Sequence, residues 1–186
     1  MKQLVLLLCL VHLVVTLHTR RAYFLEKGNS NILRSGEFLV YNGLTDTLAY
    51  EIKSSFGSDG RHFEIIASPS KEVVGKLMVK GEKIWREATF EVLDNQTRQW
   101  KMGKLIRHFK FWSPHQIDIE WDGPPIKHVI PGYMWYGTLI NDRDTIMAEF
   151  QSRRLGKHAP LTYDLHVHSD DVPDPVFLFY VASINM

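Results

Sequence analysis

The feature that most constrains the fold is an alternation of apolar and polar residues with a period of two, which begins near residue 37 and recurs between turn signals. Successive side chains of a β-strand point to opposite faces of a sheet, so this alternation is typical of strands that bury one face. The repeated segments predict an all-β domain built as a sandwich or a barrel. The predicted strands are 37–41, 47–56, 62–67, 73–79, 84–93, 98–110, 116–121, 127–130, 133–140, 145–152 and 161–168.

Turn residues separate the predicted strands. Asn42-Gly43 is a strong hairpin signal between the first two strands, and Asp94-Asn95 marks a turn further along the chain. Gly103 predicts a break within the segment 98–110, because glycine weakens the interior of a strand. No convincing amphipathic helix interrupts the series of strands.

The closing segment differs in kind, because residues 176–182 are apolar at every position and do not alternate. Such a segment must be buried on all sides, and both a central strand and a short helix inside a barrel satisfy that requirement. Asp174 followed by Pro175 favours the helix, since Asp caps helices and Pro is common in the first turn. The residues predicted to form this central apolar segment are Val176, Phe177, Leu178, Phe179, Tyr180 and Val181.

The N-terminal residues resemble a secretory signal peptide or an anchor. Lys2 precedes an apolar stretch from Leu4 to Leu17, which is too short to cross a membrane comfortably as a helix. The chain therefore divides into a leader-like segment, 1–21, and one β-domain, 22–186. This division favours the secretory pathway or membrane association over a cytoplasmic location. Asn95 is the first residue of a glycosylation acceptor sequence, Asn95-Gln96-Thr97.

Composition excludes several classes of function. Lys and Arg number 22 against 21 for Asp and Glu, so the net charge is +1 and no global field favours nucleic acid. The single cysteine, Cys9, lies in the apolar leader, so the β-domain has neither a disulfide framework nor a thiolate metal site. No serine-hydrolase elbow, zinc-protease motif or phosphate-binding glycine loop occurs. The sequence thus predicts a non-enzymatic protein without a cofactor.

One group of side chains could form a metal site. Asp164, His166, His168 and Asp170 are spaced by two, which places them on one face of a strand. Histidine and carboxylate ligands suit zinc or another divalent ion. The competing and favoured interpretation is that this polar face meets water while the alternate apolar residues face the core.

Two basic clusters could bind anionic lipid headgroups. Arg153, Arg154 and Lys157 lie around a glycine, and Lys104 and Arg107 belong to a second cluster. Clustered cations near a membrane each add about 1 kcal/mol of attraction to an anionic surface. A solvated strand face or turn is the commoner explanation of such charges.

The strand pairs and the closing segment together resemble the tubby C-terminal-like superfamily, which includes the LURP-one-related proteins and the phospholipid scramblases. The resemblance rests on the strand pair 37–41 and 48–52, on the pair 63–66 and 73–77, and on 174–186 in the place of a central helix. It covers about residues 23 to 186. It implies a single closed or nearly closed antiparallel barrel of about 10–12 strands around an apolar C-terminal helix.

Three functions follow as hypotheses. The first is a non-enzymatic binding module of tubby-like fold that contacts an anionic membrane surface or a protein partner. The second is a secreted β-barrel that carries an apolar ligand, which requires an interior free of the helix. The third is a metal-dependent enzyme that uses the strand carrying His166 and His168.

Overall fold

A computed structural model describes residues 21–27, 37–80, 86–108, 116–123, 125–129, 136–153 and 162–184. This part of the chain contains twelve β-strands followed by one α-helix, α1 (Asp174–Ser183). The first six strands are β1 (Arg21–Lys27), β2 (Phe38–Asn42), β3 (Leu48–Gly57), β4 (Gly60–Ala67), β5 (Val73–Val79) and β6 (Glu87–Leu93). The others are β7 (Trp100–His108), β8 (Gln116–Trp121), β9 (Lys127–Val129), β10 (Tyr136–Ile140), β11 (Ile146–Arg153) and β12 (Thr162–Val167).

All twelve strands belong to one antiparallel sheet with the order β8-β7-β6-β5-β4-β3-β2-β1-β12-β11-β10-β9. Strand β1 joins the two runs, since it pairs with β2 on one side and with β12 on the other. The sheet curls until β8 meets Ile126, the residue before β9, in a bridge where the N–H of Ile119 donates to the carbonyl oxygen of Ile126 at 3.4 Å. The sheet is therefore a nearly closed barrel, as predicted.

Helix α1 fills the interior of this barrel. All of its residues are buried, and the central apolar segment from Val176 to Val181 is fully inaccessible to solvent. Phe179 packs against Phe90 of β6 with ring centroids 6.3 Å apart, and Tyr180 packs against Phe150 of β11 at 5.7 Å. A helix that is apolar on every side is stable only when protein surrounds it. The sequence prediction of a helix, rather than a central strand, is confirmed.

The alternation in the sequence corresponds to the two faces of the barrel wall. In β5, for example, Leu77 and Val79 are buried while Lys76 is exposed. The inward side chains meet the helix and together form one core. Inward residues with no solvent exposure are Leu25, Val40, Ile65, Val92, Leu105, Leu139 and Leu165.

Strand β1 is missing from the predicted set, whereas the eleven predicted strands correspond to β2 to β12. Its sequence, RAYFLEK, has apolar residues on both faces, which hides the period of two. Tyr23 and Leu25 point inward, and Phe24 on the outer face packs against Tyr41 with ring centroids 6.5 Å apart. The strand begins at Arg21, the last residue assigned to the leader.

The predicted break at Gly103 is wrong, because β7 runs without interruption through this residue. A side chain at this position would place its Cβ only 2.2 Å from Cζ of Phe90. The glycine therefore permits close approach of an aromatic ring from the neighbouring strand rather than ending the strand.

The hairpin signal at Asn42 predicts the position of the turn, but the turn is longer than two residues. The Oδ1 atom of Asn42 accepts hydrogen bonds from the backbone N–H groups of Leu44 and Thr45 at 2.9 and 3.2 Å. Asp46 then takes a left-handed φ of 54° before β3 begins. Side chains of Asp94 and Asn141 cap the backbone in the same way in two further turns.

Candidate functional site

The strand order distributes the chain connections between the two ends of the barrel, because successive antiparallel strands run in opposite directions. Helix α1 begins at one end, which we call the acidic end, and finishes at the other, which we call the basic end. The connections at the acidic end are 43–47, 68–72, 94–99, 122–126, 141–145 and 168–173. Strand ends at the basic end are joined by 28–37, 58–59, 80–86, 109–115, 130–135 and 154–161.

The two sets of connections differ sharply in composition. Those of the acidic end contain eight Asp and Glu residues against three Lys and Arg, and no aromatic residue. Those of the basic end contain seven Lys and Arg against three Asp and Glu, together with six Phe, Tyr and Trp residues. Much of this second set lies outside the described residues. The nearly neutral net charge of the chain therefore hides a difference in composition between the two sets of connections.

A buried polar network surrounds the first turn of the helix at the acidic end. The guanidinium of Arg21 contacts the carboxylate of Asp174 at 2.8 Å, and a second nitrogen reaches Asp170 at 3.0 Å. The hydroxyl of Tyr23 donates to the same Asp174 carboxylate at 2.6 Å, and that of Tyr50 lies 3.5 Å from it. These contacts tie β1 and β3 to the helix N-terminus, where a negative charge is favoured.

Asp174 does not act as the helix N-cap, contrary to the expectation from sequence. The N-cap is Pro173, which makes no side-chain cap, and Asp174 is the first helical residue. Its carboxylate is instead occupied by Arg21 and Tyr23. Burial, reinforced by the charge of Asp174, raises the pKa of Tyr23 and raises that of Tyr50 to about 12. Both tyrosines are therefore neutral hydrogen-bond donors at physiological pH.

A second polar group lies inside the basic end. Arg107 alternates with the buried Leu105 and so belongs to the inner face of β7. Burial lowers the pKa of Arg107 and raises that of Tyr180 near the end of the helix. Asp118, which pairs with His108 at 2.8 Å, also raises the pKa of Tyr180 by its charge. A cation close to a helix C-terminus is stabilising, which accounts for an arginine at this depth.

The structure separates the predicted lipid-binding residues that it describes. Lys104 is on the outer face of β7 and pairs with Glu87 at 3.1 Å, whereas Arg107 faces the interior. Arg153 ends β11 at the basic end and forms an ion pair with Asp164 of β12. The other two predicted residues, Arg154 and Lys157, lie outside the described residues.

The candidate metal ligands share a strand face but do not converge. Asp164 and His166 lie on the outer face of β12, and the carboxylate of Asp164 is occupied by Arg153. His168 lies after the strand, with Nε2 3.1 Å from the carboxylate of Glu149. Within the described residues, no three His, Cys, Asp or Glu side chains come close enough together to hold a metal ion.

Two further sequence predictions concern the secretory pathway. Asn95 is exposed in the turn between β6 and β7, at the acidic end. The leader-like segment lies outside the described residues, apart from Arg21. In the described part of the chain, no helix has the length and apolar character needed to cross a membrane.

The fold defines a nearly closed antiparallel β-barrel with an apolar helix in its interior. No family model matches the sequence, and no curated protein matches it. The chain is similar to the X-ray structure of the Arabidopsis thaliana protein AT5G01750, with a TM-score of 0.56 and 12% sequence identity. The match covers 89% of this chain and 90% of the other, so the two proteins share a fold over almost their whole lengths.

Sequence reasoning missed the network around Arg21, Tyr23, Tyr50 and Asp174. Asp174 could have indicated such a network, because a buried acid at the start of a wholly apolar segment needs a cationic or hydrogen-bonding partner. Finding that partner required β1, whose pairing with β12 connects residues that are far apart in the chain.

Proposed function

We propose that this protein is a non-catalytic binding module of the tubby-like superfamily that contacts anionic membrane surfaces through the basic end of its barrel. One observation carries the proposal: the topology joins strand ends at this end through segments rich in Lys, Arg and aromatic residues. Cations are attracted to anionic headgroups, and aromatic side chains favour the membrane interface. The connections of the acidic end instead carry an excess of acidic residues and no aromatic residue.

The interior of the barrel argues against the carrier hypothesis. An apolar ligand inside the lumen would occupy the same volume as α1, whose central residues have no solvent exposure. The metal-dependent enzyme has no supporting cluster among the described residues. Surface recognition therefore accounts best for a barrel with a filled interior.

A vesicle flotation experiment tests the proposal. The full chain should float with vesicles of phosphatidylcholine and phosphatidylserine, and this binding should weaken as salt concentration rises. Replacing Arg154 and Lys157 by Ala should lower the apparent affinity by about 30-fold, if each cation contributes about 1 kcal/mol. Arg153→Ala should have a smaller effect, because its charge is already paired with Asp164.

The matched control removes two cations from the acidic end. Lys71 and Arg98 are exposed turn residues there, paired with Glu51 and Glu72. Replacing both by Ala changes the net charge by the same amount and should leave flotation unchanged. Equal losses in the two double variants, or binding to phosphatidylcholine alone, would show that the basic end is not the membrane-contacting surface.

A further inference from the structure

A groove of about 220 Å³ crosses the outer wall of the barrel over strands β4 to β7. Its floor and sides are outward side chains arranged in two rows across the strands. In the first row, Lys76 faces Glu64 on one neighbour and Glu91 on the other, and Met102 pairs with Glu91 in turn. The second row is formed by His62, Met78 and Thr89.

The charges in this groove are not balanced by its own residues. The ammonium of Lys76 lies 5.2 Å from the ring centroid of Trp100, which draws it towards the edge of the groove. No described cation lies within ion-pairing distance of Glu64 or Glu91. Other acids on this wall are paired, as in the contact between Glu87 and Lys104 at 3.1 Å. The groove therefore presents two carboxylates that a cationic partner can engage.

Apolar side chains accompany these carboxylates. Met102 is 65% exposed and Trp100 is 43% exposed, both on the outer face of β7. Methionine adapts its shape readily and is common at surfaces that accept peptides. An exposed tryptophan beside such a surface is a frequent anchor in protein recognition. The groove thus combines an apolar floor with negative charge, which disfavours an anionic membrane as its occupant.

We propose that this groove docks a segment of a partner protein that carries basic and apolar residues. Neighbouring strands are about 4.8 Å apart, so the backbones of Glu64 and Glu91 are separated by about 10 Å. Residues three apart in a polyproline II segment lie on the same side, about 9 Å from each other. Two Lys or Arg residues at that spacing match the two carboxylates, and apolar residues beside them meet Met78 and Met102. This docking surface is separate from the membrane-contacting end.

Selection from a displayed library of random peptides tests the proposal with the full chain as bait. Enriched peptides should carry a net positive charge and two basic residues three positions apart. An enriched peptide should then bind the Glu64→Gln, Glu91→Gln double variant about 10-fold more weakly, as expected for the loss of two exposed ion pairs. Met102→Ser should also weaken binding, because it removes apolar contact without disturbing the core.

Glu120→Gln is the matched control, since Glu120 is an exposed acid on β8 that does not line the groove. Its affinity for the selected peptide should equal that of the unaltered chain. Replacing Glu64 and Glu91 by Lys should shift the selection towards acidic peptides. The proposal is overturned if the library yields only acidic or neutral peptides, or if the double Gln variant binds as tightly as Glu120→Gln.

Discussion

Asp174 is the residue on which the attachment of the helix to the barrel depends most directly. Its side chain is 7% exposed and pairs with Arg21 and Tyr23. Removing one partner of a buried ion pair leaves an uncompensated charge, which commonly costs several kcal/mol. We expect Asp174→Ala to lower the free energy of unfolding by about 3 kcal/mol, measured by urea denaturation.

The neighbouring Asp170 provides the comparison for this variant. It contacts the same arginine, but its side chain is 46% exposed. Water therefore screens this ion pair, and the pair contributes little to stability. Asp170→Ala should change the free energy of unfolding by at most about 1 kcal/mol. Similar losses in the two variants would mean that burial of Asp174 has no energetic consequence.

Asp94 should contribute a pH-dependent part of the stability. Its pKa is lowered to about 2, first by the ion pair with Lys101 at 2.6 Å and then by backbone N–H groups of Thr97 and Gln96. A group whose pKa is lowered by folding stabilises the native state above its unfolded pKa, near 4, and this contribution disappears as the pH falls towards 2. The unaltered chain should therefore lose stability between about pH 4 and pH 2.

Asp94→Asn tests this expectation, because the amide oxygen can still cap the turn while the charge is removed. The variant should be about 1 kcal/mol less stable than the unaltered chain at pH 7, and the difference should vanish near pH 2. Urea denaturation at several pH values measures both chains. Asp142→Asn, in the exposed turn between β10 and β11, controls for the substitution of Asp by Asn itself.

The contact between α1 and β5 requires a glycine in the strand. A Cβ atom at Gly75 would lie 2.9 Å from Cε2 of Phe179, closer than side chains normally approach. Gly75→Ala should therefore cost about 1–3 kcal/mol through overpacking, measured by thermal or urea unfolding. Combining it with Phe179→Leu should recover part of that loss, because the smaller leucine side chain leaves room for the added Cβ atom. A simple sum of the two single effects would mean that the strand and the helix are not in contact here.

The strands could be predicted from sequence wherever one face is apolar and the other polar. Strand β5 shows this pattern, and the segment after Asp174 could be assigned to the interior because it is apolar on every side. Strand β1 could not be predicted, since Phe24 makes its outer face apolar as well. The role of Gly103 could not be predicted from sequence either, because it depends on the ring of Phe90 from another strand.

The candidate site was less predictable than the fold for a related reason. Basic residues close in sequence separate onto two faces of a strand, as Lys104 and Arg107 do. Conversely, the difference in charge between the two sets of connections involves segments scattered along the chain, and only the strand order assigns each segment to its set. Local spacing carries no information about that grouping, so composition alone gave a nearly neutral protein.

The filled interior makes the whole barrel dependent on its last residues. Burying a large apolar side chain contributes about 1.5–3 kcal/mol, so the segment from Val176 to Val181 contributes on the order of 10 kcal/mol. That is comparable to the total stability of a typical domain.

A chain truncated before Asp174 should therefore fail to form the barrel, detectable as loss of near-ultraviolet circular dichroism and binding of a hydrophobic dye. Truncation after Ile184 should preserve the fold, because it spares the entire helix. A chain that stays folded without the helix would have a stable hollow barrel and would revive the carrier hypothesis.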